Sequence, residues 1–269
     1  MIGKLKRLYS LLENDVSFFR LSLPFTIKVD FVIKKYYLIL KNKVFRSNHY
    51  ESRIFNKSII FDNPFGIGFL QNVYIDNSFL KKYIPENSII IDIGANIGQF
   101  NIFCTNYLHA KTIYSLEPIK KVYDKLILNV NKNNCYNYAI STEKKLKLYT
   151  PGTTLMSSSY KRNEEDLCEE VKTVKLDDLD KIKKEEKIDL LKIDTEGSEY
   201  DVLISSENTL KKTKYLLIET SVGRPSDGTI IDIISLLKCK LNNIRLVDIG
   251  YVYRLEQKVD SIDLLFQCQ

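Results

Sequence analysis

The first 45 residues carry apolar side chains at helical intervals. Successive apolar positions are three or four residues apart, which places them on one face of a helix. This first stripe consists of Ile2, Leu5, Tyr9, Leu12, Val16 and Phe19. Pro24 interrupts the pattern, and a second stripe follows from Phe25 to Val44. The pattern predicts two amphipathic helices with a break near Pro24.

Short apolar runs follow these helices. Residues 58–62 and 69–75 are rich in Ile, Phe and other strand-forming side chains, and residues 63–66 between them have the composition of a turn. We therefore expect a hairpin here. A short helix over residues 77–83, ended by Pro85, should complete this region.

From residue 88 onward, short apolar runs alternate with segments long enough for a helix. The predicted strands are residues 88–93, 112–116, 137–140, 188–193, 215–219, 244–247 and 262–266. The predicted helices between them are residues 98–108, 120–131, 200–210 and 229–237. This alternation predicts an α/β fold with a doubly wound, mostly parallel seven-stranded sheet. The last two strands have no helix-length segment between them, so we expect them to pair antiparallel. Residues 146–149 and 171–176 predict an insertion between the third and fourth strands.

Three regions follow from these patterns. Residues 1–50 form a helical extension, residues 51–85 a hairpin and short helix, and residues 86–269 the α/β domain. Hydrophobic residues make up 44% and charged residues 28% of the 269 residues, which is typical of globular proteins. The sequence shows no run of apolar residues long enough to span a membrane and no signal peptide. Its five Cys and two His are scattered, which disfavours a zinc site or a disulfide framework and favours the cytoplasm.

The positive charge is concentrated in the extension. Residues 1–50 contain ten Lys and Arg and three Asp and Glu, whereas the remaining residues contain 30 basic and 31 acidic ones. A nearly neutral domain argues against nucleic acid as a partner. Two interpretations of the basic extension stay open: its helices pack on the domain, or they contact a membrane surface or a partner.

The first strand of the domain ends in a glycine turn. Asp92, Gly94, Asn96 and Gly98 belong to the sequence IDIGANIG, in which glycines permit a tight turn and a close approach to a ligand. A dinucleotide fingerprint would need glycine where Asn96 and Gln99 stand, so the turn is poorly suited to a pyrophosphate. The Asp92 carboxylate instead suits the ammonium group of a ligand.

An acidic residue ends the second strand. Glu117 follows Gly94 by 23 residues, the spacing at which a carboxylate accepts hydrogen bonds from ribose hydroxyls. The turn and Glu117 together indicate a nucleoside with a cationic amino-acid tail and no phosphate, which describes S-adenosylmethionine. An ordinary glycine turn beside a solvated glutamate is the alternative.

Three segments of the chain resemble the FkbM-type methyltransferases: IDIGANIG, YSLEP at residues 114–118 and IDLLKIDTEGSEYDVL at residues 188–203. The resemblance runs from about residue 74 to residue 266. It implies a class I, Rossmann-like methyltransferase that transfers a methyl group from S-adenosylmethionine to a hydroxyl of a sugar or another metabolite. It also places Ala139, after the third strand, beside the cofactor. Thr195 departs from the valine that the family usually carries.

The end of the fourth strand supplies candidates for the chemistry. Lys192 and Asp194 share one face of that strand, Glu196 follows in the loop, and Glu219 ends the neighbouring fifth strand on the acceptor side. Methyl transfer to an alcohol requires an aligned acceptor and removal of its proton, so we predict Asp194 or Glu196 as general base. Lys192 would keep a neighbouring carboxylate ionised. Two alternatives stay open: Glu196 precedes a helix, where an acidic residue is favourable without any function, or Asp194, Glu196 and Glu219 bind Mg²⁺.

The insertion contains a polar loop at residues 150–159. Ser157 and Ser158 in this loop are predicted to face the acceptor, because hydroxyl-rich loops suit sugar recognition. An ordinary polar loop without such a role is the alternative. The sequence thus favours O-methylation of a small molecule or glycan. An inactive nucleoside-binding regulatory domain and a nicotinamide-dependent oxidoreductase are the alternatives.

Overall fold

The computed structural model describes residues 2–45, 49–150, 167–222, 229–255 and 258–268. The helices are α1 Ile2–Phe19, α2 Phe25–Phe45, α3 Gly66–Asn77, α4 Gln99–Phe103, α5 Lys120–Asn129, α6 Asp180–Lys184, α7 Glu199–Ile204, α8 Glu207–Lys211 and α9 Ile230–Lys240. The strands are β1 Tyr50–Ile54, β2 Lys57–Phe61, β3 Ile89–Ile93, β4 Thr112–Leu116, β5 Cys135–Tyr136, β6 Ala139–Ile140, β7 Lys145–Thr150, β8 Leu167–Val174, β9 Ile188–Ile193, β10 Thr213–Ser221, β11 Arg245–Leu255 and β12 Lys258–Gln267.

Among the described residues, seven strands form the central sheet in the order β11–β12–β10–β9–β3–β4–β5. The strands from β10 to β5 run parallel, and β12 is antiparallel to both β10 and β11. The predicted doubly wound sheet and its antiparallel end are confirmed. The chain passes from β3 to β4 and β5 on one side and reaches β9 on the other, so the strand order reverses at β3. Ligands of such sheets bind at the carboxyl edge beside this reversal.

The first strand of the domain, β3, is buried on both faces, as its isoleucines predict. Ile90 packs in one hydrophobic cluster and Ile91 in another, because consecutive side chains of a strand point to opposite faces. Hydrogen bonding to β4 and β9 holds both edges of β3. The glycine turn that follows β3 is therefore held rigidly at the centre of the carboxyl edge.

Both predicted N-terminal helices form, and they pack on the domain. Phe18 of α1 and Phe31 of α2 are buried, and their ring centroids lie 6.1 and 5.8 Å from that of Tyr74 in α3. Tyr74 in turn lies 5.2 Å from Phe103 of α4. One hydrophobic cluster thus continues from the extension to the sheet.

A buried polar network also joins these helices. Lys35 forms an ion pair with Asp15 and donates to Oε1 of Gln71 at 3.0 Å. Gln71 Nε2 and the Tyr36 hydroxyl donate to the two Asp15 oxygens, each at 2.8 Å. Lys28 is also buried and donates to a backbone carbonyl of α1 at 2.9 Å. Two basic residues of the extension therefore serve its packing on the domain.

The hairpin lies earlier in the chain than the sequence predicts. β1 and β2 pair antiparallel around Phe55 and Asn56, whose φ angles are 51° and 60°. A two-residue turn with two positive φ angles matches the twist of a hairpin. Residues 69–75, predicted as a strand, belong to α3 instead. The buried side chains there recur at helical spacing, at Ile67, Leu70, Gln71 and Tyr74.

Two further predictions need correction. Residues 137–140 do not form the third strand of the central sheet: β5 completes that sheet, and β6 pairs with β8. The predicted helix over residues 200–210 is divided into α7 and α8, because Ser205 and Ser206 donate their hydroxyl protons to backbone carbonyls of α7. The insertion forms as predicted, with β7 antiparallel to β8.

Candidate active site

A cavity of about 280 Å³ opens at the carboxyl edge of the central sheet, beside the reversal of strand order. The ends of β3, β4, β9 and β10 form its wall, and α3 and β7 contribute side chains from the flanks. The predicted site residues that line it are Gly94, Asn96, Glu117, Ala139, Lys192, Asp194, Glu196 and Glu219. The structure therefore brings the predicted cofactor side and acceptor side into one cavity.

The glycine turn brings the ends of β3 and β9 into close contact. Gly94 has a φ angle of 83°, and a Cβ atom there would lie 1.8 Å from the carbonyl oxygen of Asp194. Only glycine fits this position. Gly98, with φ of 91°, lies behind the wall, where a Cβ atom would meet Val130 and Leu126 of the segment packed against the turn. Gly94 therefore shapes the cavity, and Gly98 allows the turn to pack.

Glu117 fastens the glycine turn to the end of β4. Its two oxygens accept hydrogen bonds from the backbone N–H groups of Asn96 and Ile119, at 3.0 and 2.9 Å. Burial raises the pKa of Glu117 to about 7, although these two hydrogen bonds act in the opposite direction. Each carboxylate oxygen can accept a second hydrogen bond, so the group can still receive hydroxyl donors from the cavity.

Asp92 lies beneath the turn, fully buried in β3. Its Oδ1 is 3.5 Å from Nζ of Lys192, and neither of its oxygens accepts a hydrogen bond from the described residues. Burial, together with the charge of Asp194, raises the pKa of Asp92, while Lys192 opposes the shift. A fully buried carboxylate whose one cation is 3.5 Å away is costly, which marks this position as one that packing alone does not explain.

Lys192 lies between two carboxylates. Its Nζ is 2.9 Å from Oδ2 of Asp194 and 5.2 Å from the centroid of the Phe100 ring. Burial favours the neutral amine, but the charges of Asp194 and Asp92 outweigh burial and raise the pKa of Lys192. Lys192 is therefore a fixed cation that links the buried Asp92 to the cavity.

Asp194 and Glu219 share a hydrogen bond at the ends of β9 and β10. Burial, followed by the charges of Asp194 and Glu196, raises the pKa of Glu219 to about 9. Burial acts in the same direction on Asp194, but Lys192 and the hydrogen bond from Glu219 outweigh it and lower its pKa. At neutral pH the pair thus holds one proton, which Glu219 donates to an ionised Asp194.

Oxygens of Asp194, Glu196 and Glu219 lie within 4.8 Å of one another. Such a set of carboxylates has the donor chemistry that a hard cation requires. The proton on Glu219 and the ammonium group of Lys192 balance part of the negative charge of these three carboxyl groups. The cluster therefore does not require a metal ion for this purpose.

Residues 92–245, more than half of the chain, match the family model described as the methyltransferase FkbM domain. The chain belongs to this family. The suspected resemblance is thereby confirmed, and the matched segment contains the ends of β3, β4, β9 and β10 that form the cavity.

Two curated proteins resemble this FkbM-family chain. The hexuronic acid methyltransferase AglP of Haloferax volcanii is 24% identical, over 56% of this chain and 63% of that protein. Methyltransferase 1 of Beauveria bassiana is 24% identical, over 49% of this chain and 64% of that protein. The matches thus span just under two thirds of each relative. The crystal structure of PH0793 from Pyrococcus horikoshii superposes with a TM-score of 0.51 at 9% identity, covering 87% of this chain and 82% of that chain, and shows a shared fold.

The Glu199 carboxylate organises the loop after β9 in this FkbM-family protein. Glu199 accepts hydrogen bonds from the backbone N–H and hydroxyl of Thr195 and from the backbone N–H of Gly197, all at 3.0 Å. Glu196, between them, has a φ angle of 56°, which is uncommon outside glycine. Glu199 thus holds the loop that carries Glu196 on the cavity wall.

Sequence analysis missed Asp263, which lines the cavity from β12. It lies opposite Glu219 in the antiparallel pairing with β10, and burial followed by the charge of Asp194 raises its pKa to about 7. The antiparallel pairing of the last strand with β10 was the signal that could have identified Asp263. Because the two strands run in opposite directions, an acidic residue near the start of the last strand lies beside the carboxyl end of β10.

The hydroxyl-rich loop is not covered by these observations. Ser157 and Ser158 lie outside the described residues. β7, which leads into that loop, reaches the cavity through Leu146 and Leu148. The role of both serines therefore stays a prediction.

Proposed function

We propose that the protein is an S-adenosylmethionine-dependent O-methyltransferase that acts on a hydroxyl of a sugar, glycan or other small metabolite. The observation that carries this proposal is a single cavity with two different walls. One wall combines the glycine turn with Glu117, and the other combines Lys192 with the Asp194–Glu219 pair. Membership of the FkbM methyltransferase family supports the reaction class.

The first wall fits the cofactor. Gly94 leaves room where a side chain would collide with the backbone, and Glu117 keeps acceptor capacity for two neighbouring ribose hydroxyls. Asn96 and Ala139 line the same part of the cavity. Asp92 would act through Lys192, since it has no exposed surface. When bound, S-adenosylmethionine supplies a methyl group already activated by a sulfonium.

The second wall fits proton removal from an acceptor hydroxyl. Asp194 is ionised, is 39% exposed and accepts the proton as the hydroxyl oxygen becomes the nucleophile. Lys192 holds the carboxylate in place and ionised, while Glu219 adds a hydrogen bond that orients it. Glu196 is the alternative base, because its carboxylate is within reach of the same region.

The proposal of a sugar or glycan acceptor is supported by one of the relatives. One relative is named for a hexuronic acid, and that name concerns the relative. For this chain we propose a sugar or glycan hydroxyl as the acceptor. A cytoplasmic location, the absence of a nucleic-acid partner, and the three-region division at residues 50 and 85 remain predictions.

The proposed function is tested by the release of S-adenosylhomocysteine in the presence of a panel of monosaccharides, nucleotide sugars and oligosaccharides. Asp194→Asn should reduce turnover by about 10²- to 10⁴-fold because the base is lost. Asp124→Asn is the matched control, since Asp124 is exposed on α5 and pairs only with Lys120 among the described residues. Cofactor binding should persist in both variants.

Other outcomes assign the chemistry differently. Normal turnover of Asp194→Asn together with inactive Glu196→Gln would identify Glu196 as the base. Loss of activity in EDTA, restored by Mg²⁺, would favour the metal interpretation. Cofactor binding without turnover on any acceptor would favour the nucleoside-binding regulatory domain.

A further inference from the structure

The helix α2 exposes an apolar stripe while it buries lysines. Ile33, Tyr37, Leu40 and Val44 recur at spacings of four, three and four residues, and each is between 59% and 68% exposed. At about 100° per residue, these four side chains lie within roughly 60° around the helix. They form one continuous surface, the α2 stripe, which faces solvent.

The opposite face of α2 prevents the helix from turning this stripe inward. Phe31 and Lys35 are buried there, against Tyr74 and against Asp15 and Gln71. Rotation of the helix would separate the Lys35–Asp15 ion pair and expose the Phe31 ring. The exposure of the α2 stripe is therefore built into the packing of the helical layer.

Cationic side chains border the stripe. Lys41 and Lys43 lie about 80° to either side of it on the helical wheel, and Arg20 is exposed just before α2. Two of the nearby acids are paired with lysines, Asp15 with Lys35 and Asp30 with Lys34. Glu51, which the charge of Lys41 also reaches, interacts with Ser58 and His49. The surface thus combines an apolar centre with positively charged margins.

We propose that the α2 stripe docks on a bilayer surface that contains anionic lipids. Its apolar side chains would enter the interfacial region, and Lys41 and Lys43 would extend their charged ends to the headgroups. Tyr37 suits this boundary because its ring is apolar and its hydroxyl polar. Because the stripe occupies one face of the helix, the proposed association is interfacial. No helix among the described residues is long and apolar enough to cross a membrane.

Charge complementarity favours lipid over a second copy of the chain. A symmetric dimer through α2 would bring the lysine margins of both copies close together. Anionic headgroups would instead neutralise these margins. Docking through this stripe is independent of what the cavity binds.

The test uses sedimentation of the intact protein with vesicles of phosphatidylcholine and phosphatidylglycerol in equal parts, and with vesicles of phosphatidylcholine alone. We expect binding to the anionic vesicles at low salt and release at high salt. The double variant Ile33→Gln/Leu40→Gln should lose at least tenfold in vesicle affinity. Lys41→Gln and Lys43→Gln should each lose about fivefold.

The matched control is Leu128→Gln/Ile231→Gln, which changes two similarly exposed apolar residues on α5 and α9. It should bind vesicles as the unchanged protein does, and circular dichroism should show that all variants are folded. Failure of the intact protein to bind anionic vesicles would overturn the proposal. So would unchanged binding of Ile33→Gln/Leu40→Gln, equal loss in the control, or a dimer in sedimentation velocity that this double variant dissociates.

Discussion

Two lysines that pair with carboxylates, the buried Lys35 in the helical layer and the mostly buried Lys192 at the carboxyl edge of the sheet, are surrounded very differently. Lys35 pairs with Asp15, and Gln71 completes the hydrogen bonding of both groups. Lys192 lies between Asp92, which accepts no hydrogen bond from the described residues, and Asp194, which is partly open to the cavity.

In the proposed function, this difference separates a site that stabilises the fold from a site that takes part in catalysis. A satisfied buried network can hold elements together and define their packing. An unsatisfied buried polar group costs about 1–3 kcal/mol, so its presence needs another explanation. At the carboxyl edge, the proposed function supplies that explanation, because Lys192 and the carboxylates would then face a ligand.

The largest expected effect on stability concerns the helical layer. Lys35→Met leaves the Asp15 carboxylate without its cation in a buried position, which should reduce the free energy of unfolding by about 3–5 kcal/mol. Urea denaturation measures this loss, and cofactor affinity should not change. The double variant Asp15→Leu/Lys35→Met should recover much of the stability.

Lys192→Met makes the corresponding substitution at the carboxyl edge of the sheet. It should cost less stability, because Asp92 already has a raised pKa and can take up a proton. It should also reduce turnover. A Lys192→Met variant that loses as much stability as Lys35→Met and keeps its activity would remove the distinction between the two sites.

The next effect concerns Glu117, on the first wall of the cavity. Glu117→Gln keeps the size of the side chain but replaces one acceptor oxygen with an amide that only donates, so affinity for S-adenosylmethionine should fall by about ten- to a hundredfold. Isothermal titration calorimetry measures the change. Unchanged affinity in the folded variant would refute the assignment of Glu117 to the ribose hydroxyls.

The smallest effect is a pH dependence that arises from Glu219. In the unfolded chain a glutamate ionises near 4.5, whereas burial raises the pKa of Glu219 to about 9. Between these values the native state holds a proton that the unfolded state has released, so stability falls as pH rises. One such proton contributes a slope of at most about 1.4 kcal/mol per pH unit.

Glu219→Gln should therefore flatten the decline in unfolding free energy between about pH 6 and pH 8. Glu207→Gln is the control, because hydrogen bonds from Lys211 and Lys240 lower the pKa of Glu207 to about 2 and it is ionised in both states over this range. An unchanged slope in Glu219→Gln would show that Glu219 is not protonated in the native protein.

The sequence predicted the parts of the site that are set by short-range rules. Gly94, Glu117 and Asp194 each follow a buried apolar strand, so their place at the carboxyl edge could be inferred from strand positions alone. The contacts between them required the register of the sheet. Asp263 was missed for this reason, because only its pairing with β10 brings it opposite Glu219.

Burial was the harder property to predict in the extension and in α3. The charge count treated Lys28 and Lys35 as available for docking, although both are buried. In residues 69–75, strand-forming residue types concealed a helical spacing that begins at Ile67. In both places tertiary packing overrode the local pattern.

Calorimetric titration of the intact protein with S-adenosylmethionine, and in parallel with NAD, tests the central claim most directly. The cavity with Glu117 on one wall and Asp194 on the other predicts saturable binding of S-adenosylmethionine at one site per chain and no binding of NAD. Binding of NAD without binding of S-adenosylmethionine, or binding of neither, would contradict the account.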